Sequence, residues 1–114
     1  MDRAISDMAA WMDDDRVSLD LACVATTLNS SVAGIVTDLS YGGACITLDA
    51  GNPGFPLSEL RRIEADELGA FDIIFRWQRG EKIGVSFRSE DAARAPIKAF
   101  FEKRRMETEV RSYG

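Results

Sequence analysis

The sequence contains no histidine, and this absence narrows the possible functions more than any other feature. Histidine is the commonest general base, completes most nucleophilic triads and ligates most zinc sites. An enzyme built from this chain would depend on Asp or Glu as acid and base, and no carboxylate pair has a recognisable catalytic spacing. We therefore predict that the chain is not an enzyme. We also predict no metal site and no resident cofactor, because the acidic run Asp13-Asp14-Asp15 lacks the spacing of a calcium loop.

Long hydrophobic runs are also missing. No stretch approaches the roughly 20 apolar residues of a membrane helix, and the first residues lack the basic start and apolar run of a secretory signal. We therefore expect no membrane insertion and a cytoplasmic location. Only two cysteines occur, Cys23 and Cys45, and both lie in apolar, strand-like segments. In that compartment we expect buried, reduced thiols and no disulfide.

Basic residues are scarce in the first half of the chain. The 114 residues carry a formal net charge of −5, and residues 1–50 contain two arginines, Arg3 and Arg16, against eight aspartates. A protein that binds a nucleic-acid polymer presents a broad basic face, so we predict no such partner.

The length of the chain fits one domain, and a hydrophobic content of 46% is enough for one core.

Alternating apolar residues predict strands over much of the chain. The clearest alternation covers residues 17–25, and shorter segments follow at 34–39, 44–48, 71–77 and 83–87. Residues 58–68 fit neither the helical nor the strand period; their Glu, Leu and Arg content favours a helix, but the neighbouring segments favour a sheet, and we predict a strand over residues 61–66. In the second strand we place Ile35, Thr37 and Leu39 on one face. We predict that Trp77 and Phe87 lie in the core, and that residues 78–81 form a hairpin loop.

Helical patterns occur at the two ends of the chain. A short amphipathic helix is predicted over residues 4–12. After Ser89 a first helical piece begins at Glu90 and Asp91, and Pro96 suits the start of a second piece. The second piece places four residues on one face: Ile97, Phe100, Phe101 and Arg104.

These elements predict a mainly β fold, a small six-stranded antiparallel β-barrel with a C-terminal α-helix packed on it or capping its mouth. Residues 1–15 are predicted as an N-terminal arm, residues 16–108 as the barrel domain with its helix, and residues 109–114 as a tail.

The most specific segment joins the second and third predicted strands. It reads Asp38-Leu39-Ser40-Tyr41-Gly42-Gly43 and resembles the D/N-x-S-x-x-G motif of the PilZ domain family through Asp38, Ser40 and Gly43. Residues 77–87 are similar to the closing hairpin of that family: a tryptophan, a glycine turn and an Ile-Gly-Val-x-Phe strand. The resemblance covers residues 12–104 and implies the split barrel of that family.

The resemblance also implies a ligand, cyclic di-GMP, and two binding segments. In the family, an R-x-x-x-R segment before the first strand supplies guanidinium groups to phosphates and guanine edges, and the D/N-x-S-x-x-G segment supplies a carboxylate, a hydroxyl and a glycine. Asp38, Ser40 and Gly43 match the second segment. Arg16 fits the second arginine of the first segment, which leaves Met12 in place of the first arginine. If Arg16 is taken as the first arginine, Asp20 replaces the second.

One arginine therefore stands where two are expected, beside three aspartates. A lost charged hydrogen bond costs about 1.5–3 kcal/mol, and a carboxylate near a phosphate adds about 1 kcal/mol of repulsion. Together these terms correspond to an affinity loss on the order of 100-fold. The motif residues have a second interpretation, a tight turn between strands held by side-chain caps.

Two hypotheses follow from the resemblance. The first is a bacterial signalling adaptor of the cyclic di-GMP pathway that acts through contact with a partner protein, with weak or no ligand binding. Its partner face would combine the surface near residues 38–43, the N-terminal arm and the final helix. The alternative is a genuine cyclic di-GMP receptor that uses Arg16, Asp38, Ser40 and Gly43 together with an arginine from elsewhere, such as Arg3 or Arg88.

Overall fold

Six antiparallel strands close into a barrel, and one long helix follows them. The computed structural model describes residues 17–49 and 53–113. The strands are β1 (Val17–Thr26), β2 (Ser31–Leu39), β3 (Gly43–Leu48), β4 (Arg62–Ala65), β5 (Gly69–Arg79) and β6 (Lys82–Phe87). They pair in the order β1-β2-β3-β6-β5-β4, and β4 pairs with β1 to close the barrel. A short 3-10 helix (Leu57–Glu59) precedes β4, and helix α1 (Glu90–Tyr113) follows β6. The predicted fold class is confirmed.

Alternation along the strands builds the core inside the barrel. On β1, Leu19, Leu21, Cys23 and Ala25 are buried while the residues between them are exposed, as predicted. Each of the other strands adds inward-facing side chains, and helix α1 adds more. The largest of the fully enclosed apolar side chains are Val36, Leu39, Ile46, Ile63, Ile73, Ile83, Val85 and Ile97. This enclosed apolar surface is the main stabilising contribution to the fold.

Both cysteines are buried and neither forms a disulfide, as predicted. Burial, together with the smaller effects of the Asp49 and Asp66 charges, raises the pKa of the Cys23 thiol to about 11. Because the thiolate is the reactive form, Cys23 is an inert core residue at neutral pH.

A β-bulge in each of two strands changes the predicted faces. On β2, Val36 pairs with Ile46 and Asp38 with Cys45, so Thr37 is the extra residue. As a result Val36, and not Ile35, joins Leu39 inside the barrel.

The second bulge lies on β5. Phe75 pairs with Val85 and Trp77 with Gly84, so Arg76 is the extra residue there. The bulge turns Trp77 to the outer face, where its indole covers Gly84. The prediction that Trp77 is a core residue is wrong, whereas Phe87 is buried in the core.

Helix α1 closes one end of the barrel. Ser89 caps it, because the Ala92 N–H donates to Ser89 Oγ at 3.1 Å. The helix is continuous through Pro96, so the predicted break into two pieces is wrong. Proline removes one backbone hydrogen bond, but Ala93 and Ile97 on either side of it are both buried against the barrel and hold the helix together.

The helix reaches Tyr113, beyond residue 108, where we predicted that the barrel domain ends. The predicted arm, with its helix over residues 4–12, lies outside the described residues, and the division into arm, domain and tail stays a prediction. Within residues 17–49 and 53–113, no helix combines the length and the apolar character needed to cross a membrane.

Candidate functional site

The D-x-S-x-x-G segment forms the turn between β2 and β3, at the end of the barrel that α1 covers. Ser40 is completely buried in this turn. Its hydroxyl accepts hydrogen bonds from the Gly42 N–H at 3.2 Å and the Gly43 N–H at 3.3 Å, and it donates to the Gly43 carbonyl at 3.4 Å. A hydroxyl has one hydrogen to donate and two lone pairs that accept. The turn therefore uses the full hydrogen-bonding capacity of Ser40.

Asp38 lies on the outer face of the barrel, just before the turn. It pairs across the sheet with Ser18, and Ser18 Oγ donates to Asp38 Oδ1 at 3.0 Å. The same outer row continues through Cys45 of β3 and Gly84 of β6 to Trp77 of β5. Asp38 therefore stands at one side of a sheet surface that ends at the indole ring. The indole Nε1–H is shielded from solvent and forms no hydrogen bond with any described residue.

Arg76 is the cationic side chain that the bulge brings beside the motif. Its Nε donates to Ser86 Oγ at 2.8 Å, and Ser86 pairs across the sheet with Gly43. A guanidinium group therefore lies one strand away from the motif glycine, on the outer face. Arg76 was not predicted as a site residue, because simple alternation gives no indication of the bulge. The Trp-Gln-Arg-Gly hairpin signal identified the strand but not its register.

The turn is tied to α1 through Tyr41. The guanidinium carbon of Arg94 lies 4.5 Å from the centre of the Tyr41 ring, and the ring of Phe101 meets Tyr41 edge-on at 5.6 Å between centroids. A cation–π contact at an exposed site contributes about 0.5–1 kcal/mol. The turn and the first half of α1 therefore form one continuous surface, which contains two of the three parts of the predicted partner face.

Of the arginines offered to complete the pair with Arg16, namely Arg3 and Arg88, only Arg88 lies among the described residues. Arg88 follows Phe87, whose N–H donates to the Gly42 carbonyl at 2.9 Å, but the Arg88 side chain lines a separate cavity of about 340 Å³ together with Arg62 and Asp72. Arg3 and Arg16 lie outside the described residues. Val17, the residue after Arg16, pairs with Leu39, so β1 begins beside the motif turn.

The structure thus brings Asp38, Ser40 and Gly43 together and adds Arg76. In the part of the chain that the structure describes, no group of three or more Cys, Asp or Glu side chains is arranged to hold a metal ion.

Comparison with solved structures identifies the class of fold. The chain matches the PilZ domain of CeSA from a cellulose-synthesizing bacterium with a TM-score of 0.61 and 15% sequence identity, over 80% of this chain and 99% of that one. It also matches YcgR from Escherichia coli in complex with c-di-GMP, with a TM-score of 0.55 and 21% identity, over 86% of this chain and 48% of that one. The chain therefore spans about half the length of YcgR. No family model and no curated protein matches the sequence.

What these structures match in this chain is a closed six-stranded antiparallel barrel followed by one C-terminal helix. The chain has the fold of a PilZ domain, and the resemblance noted in its sequence is confirmed at the level of fold.

Replacement of Ser40 tests its part in the turn. In Ser40→Ala, the Gly42 and Gly43 N–H groups lose their common acceptor inside a buried turn, so we expect the free energy of unfolding to fall by about 1–2 kcal/mol. Urea unfolding followed by tryptophan fluorescence measures this change. Ser31→Ala is the matched control, because Ser31 is an exposed strand serine, and its effect should stay below about 0.5 kcal/mol. Equal stability of the two variants would contradict the capping role.

Proposed function

We propose that the chain is a signalling adaptor of the cyclic di-GMP pathway that works through contact with another protein and binds cyclic di-GMP weakly or not at all. The supporting observation is the state of Ser40, whose buried hydroxyl is fully hydrogen-bonded within its own turn. A ligand that needed this hydroxyl would have to open the turn. The hydrogen bonds that hold the β2–β3 turn are therefore enough to account for the motif residues Ser40 and Gly43.

The cationic groups near the turn also support this proposal. Arg94 covers Tyr41, and the Nε of Arg76 is already bonded to Ser86. Of the paired arginines that the family uses before its first strand, this sequence contains Arg16 alone, with Met12 in place of the first arginine or, in the other register, Asp20 in place of the second. A dianionic ligand would meet one arginine and three aspartates there, so little of its charge would be neutralised.

The partner face in this proposal is the surface where the motif turn meets α1. Tyr41, Arg94 and Phe101 join the turn to the helix, so a protein that contacts one element contacts the other. Aromatic and arginine side chains are enriched where partner proteins bind.

Two measurements test the proposal. Calorimetric titration of the full chain with cyclic di-GMP should show no binding at low micromolar concentration. A photo-cross-linking amino acid in place of Arg94 should give a covalent adduct with a partner protein in the native cell, whereas the same amino acid in place of Leu28, at the opposite end of the barrel, should not. If the chain binds cyclic di-GMP at low micromolar concentration, if Arg16→Ala abolishes this binding, and if position 94 gives no adduct, the adaptor hypothesis is wrong and the chain is a receptor.

One observation favours that second candidate, a genuine receptor. Arg76 places a guanidinium group one strand away from Gly43 on the outer face, and the Trp77 ring lies in the neighbouring row. In this candidate Arg76 supplies the second cation and works with Arg16 and Asp38. Arg76→Ala would then abolish binding, while Arg79→Ala, an exposed arginine at the far end of the same strand, would not.

A further inference from the structure

A second outer surface of the barrel is apolar although it faces solvent. On β1 and β2, Ala22 pairs with Ile35 and Val24 with Ala33, and all four side chains point outward. Val24 is 42% exposed. A barrel strand with one solvated face normally alternates apolar and polar residues, and this pattern fails here. These four residues form the floor of a shallow depression of about 770 Å³.

Carboxylates surround this floor on both sides. Asp49 lies beyond β2, and its N–H donates to the Ala33 carbonyl at 2.9 Å. On the other side, Glu64 pairs directly with Val24, and the Asp66 N–H donates to the Ala22 carbonyl at 3.1 Å. Glu67 completes the rim. The backbone hydrogen bonds fix the two aspartates beside the floor, so the rim is a built feature of the fold.

No lysine or arginine among the described residues lines the depression. At its edge, the Nζ of Lys103 lies 3.9 Å from the Glu67 carboxylate. The negative potential extends into the barrel wall, since Asp49 and Asp66 both contribute, after burial, to the raised pKa of Cys23 below the floor. We call the floor and its rim the acidic-rimmed face: Ala22, Val24, Ala33, Ile35, Asp49, Glu64, Asp66 and Glu67.

We propose that the acidic-rimmed face docks a cationic amphipathic segment of a partner protein. Apolar side chains of that segment would cover the floor, and its lysines or arginines would pair with the rim carboxylates. Charge complementarity selects this occupant, because an anionic membrane surface or a nucleic acid would be repelled by the rim. A second copy of this chain, with its net charge of −5, would also bring like charge to the face. The inference deepens the adaptor function proposed above and rests on it.

An amphipathic helical peptide built from leucine and lysine provides the probe. Titrated into the full chain and followed by the amide NMR spectrum, it should shift the signals of Val24, Ala33, Ile35 and Glu64 and leave those of the motif turn unchanged. A matched peptide with glutamate in place of lysine should shift none of them. Added salt should weaken the binding, because the rim is exposed.

Paired variants locate the interaction. Glu64→Lys should weaken peptide binding by about tenfold or more, and Asp49→Asn, which keeps the side-chain shape, by about threefold. Glu59→Lys makes the same change of charge on an exposed residue outside the face and should alter binding less than about twofold. Val24→Ser should also weaken binding, whereas Leu28→Ser, which changes a residue 81% exposed at the β1–β2 turn, should not.

If Glu64→Lys and Glu59→Lys weaken peptide binding equally, the peptide is attracted only by net charge, and the proposal is wrong. NMR shifts at a surface other than the acidic-rimmed face would also contradict it. This outcome is distinct from failure of the adaptor function, which would appear as tight cyclic di-GMP binding with no adduct from position 94. The peptide titration contains neither cyclic di-GMP nor the partner that position 94 would capture, so each experiment can fail by itself.

Discussion

Ile97→Ala should lower the free energy of unfolding by about 2–5 kcal/mol, the range for truncating a fully enclosed aliphatic side chain. Ile97 is 0% exposed and lies on α1 between Ala93 and Phe100, both of which are also buried. Its truncation removes buried apolar contact between α1 and the end of the barrel that the helix closes. Because the same helix carries Arg94 and Phe101, the variant should also loosen the motif turn at Tyr41.

Urea unfolding, with the fluorescence of Trp77 in the barrel wall as one reporter, measures the loss of stability. Lys98→Ala is the matched control, because it truncates the next residue of the same helix at an exposed position, and its effect should stay below about 0.5 kcal/mol. Amide exchange of the Gly42 and Gly43 N–H groups should accelerate in Ile97→Ala alone. A loss below about 1 kcal/mol would mean that α1 is not an integral part of the core.

The β architecture could be predicted because most strands obey simple alternation. Leu19, Leu21 and Cys23 follow the period of two, and the structure buries each of them. The second strand, by contrast, was predicted to begin at residue 34, and β2 begins at Ser31. The strand begins earlier because Thr27 Oγ1 accepts the Ser30 N–H at 2.9 Å and closes the loop over residues 27–30. A local side-chain hydrogen bond of this kind determines where a strand begins.

The register of the sheet could not be predicted, because each β-bulge depends on the partner strand. Nothing in the local sequence marks Thr37 or Arg76 as an extra residue, and the pairings of Val36 and Trp77 become visible only once β3 and β6 are in place. The indole of Trp77 occupies the space above Gly84, which a side chain at that position would fill. The glycine of the Ile-Gly-Val-x-Phe strand is therefore explained by a contact between strands.

The same limit applies to the candidate site. The motif residues Asp38, Ser40 and Gly43 could be found from their spacing, but the internal hydrogen bonds of Ser40 and the position of Arg76 required the fold. Likewise, Pro96 ends or kinks many helices, and its tolerance here depends on the burial of Ala93 and Ile97 against the barrel. The local sequence pattern therefore predicts which residues form strands and helices, whereas their hydrogen-bond partners and their positions in the site depend on tertiary contacts.

Met12→Arg should strengthen binding of cyclic di-GMP by about 10- to 100-fold, if an incomplete arginine pair is what weakens it. The substitution creates an R-x-x-x-R segment with Arg16 directly before β1, whose first residue, Val17, pairs with Leu39 of the motif segment. A charged hydrogen bond of about 1.5–3 kcal/mol corresponds to this range of affinity. Calorimetric titration of the full chain with cyclic di-GMP measures the gain.

Met8→Arg is the matched control for this variant, because it adds the same charge to the same segment without the R-x-x-x-R spacing. It should change the affinity less than about threefold, since a charge that does not pair with Arg16 on the ligand acts only through a screened field. Similar gains in both variants would show that net charge, and not paired guanidinium groups, limits binding. If neither variant gains affinity, the incomplete arginine pair is not what limits binding, and the expectation for Met12→Arg is wrong.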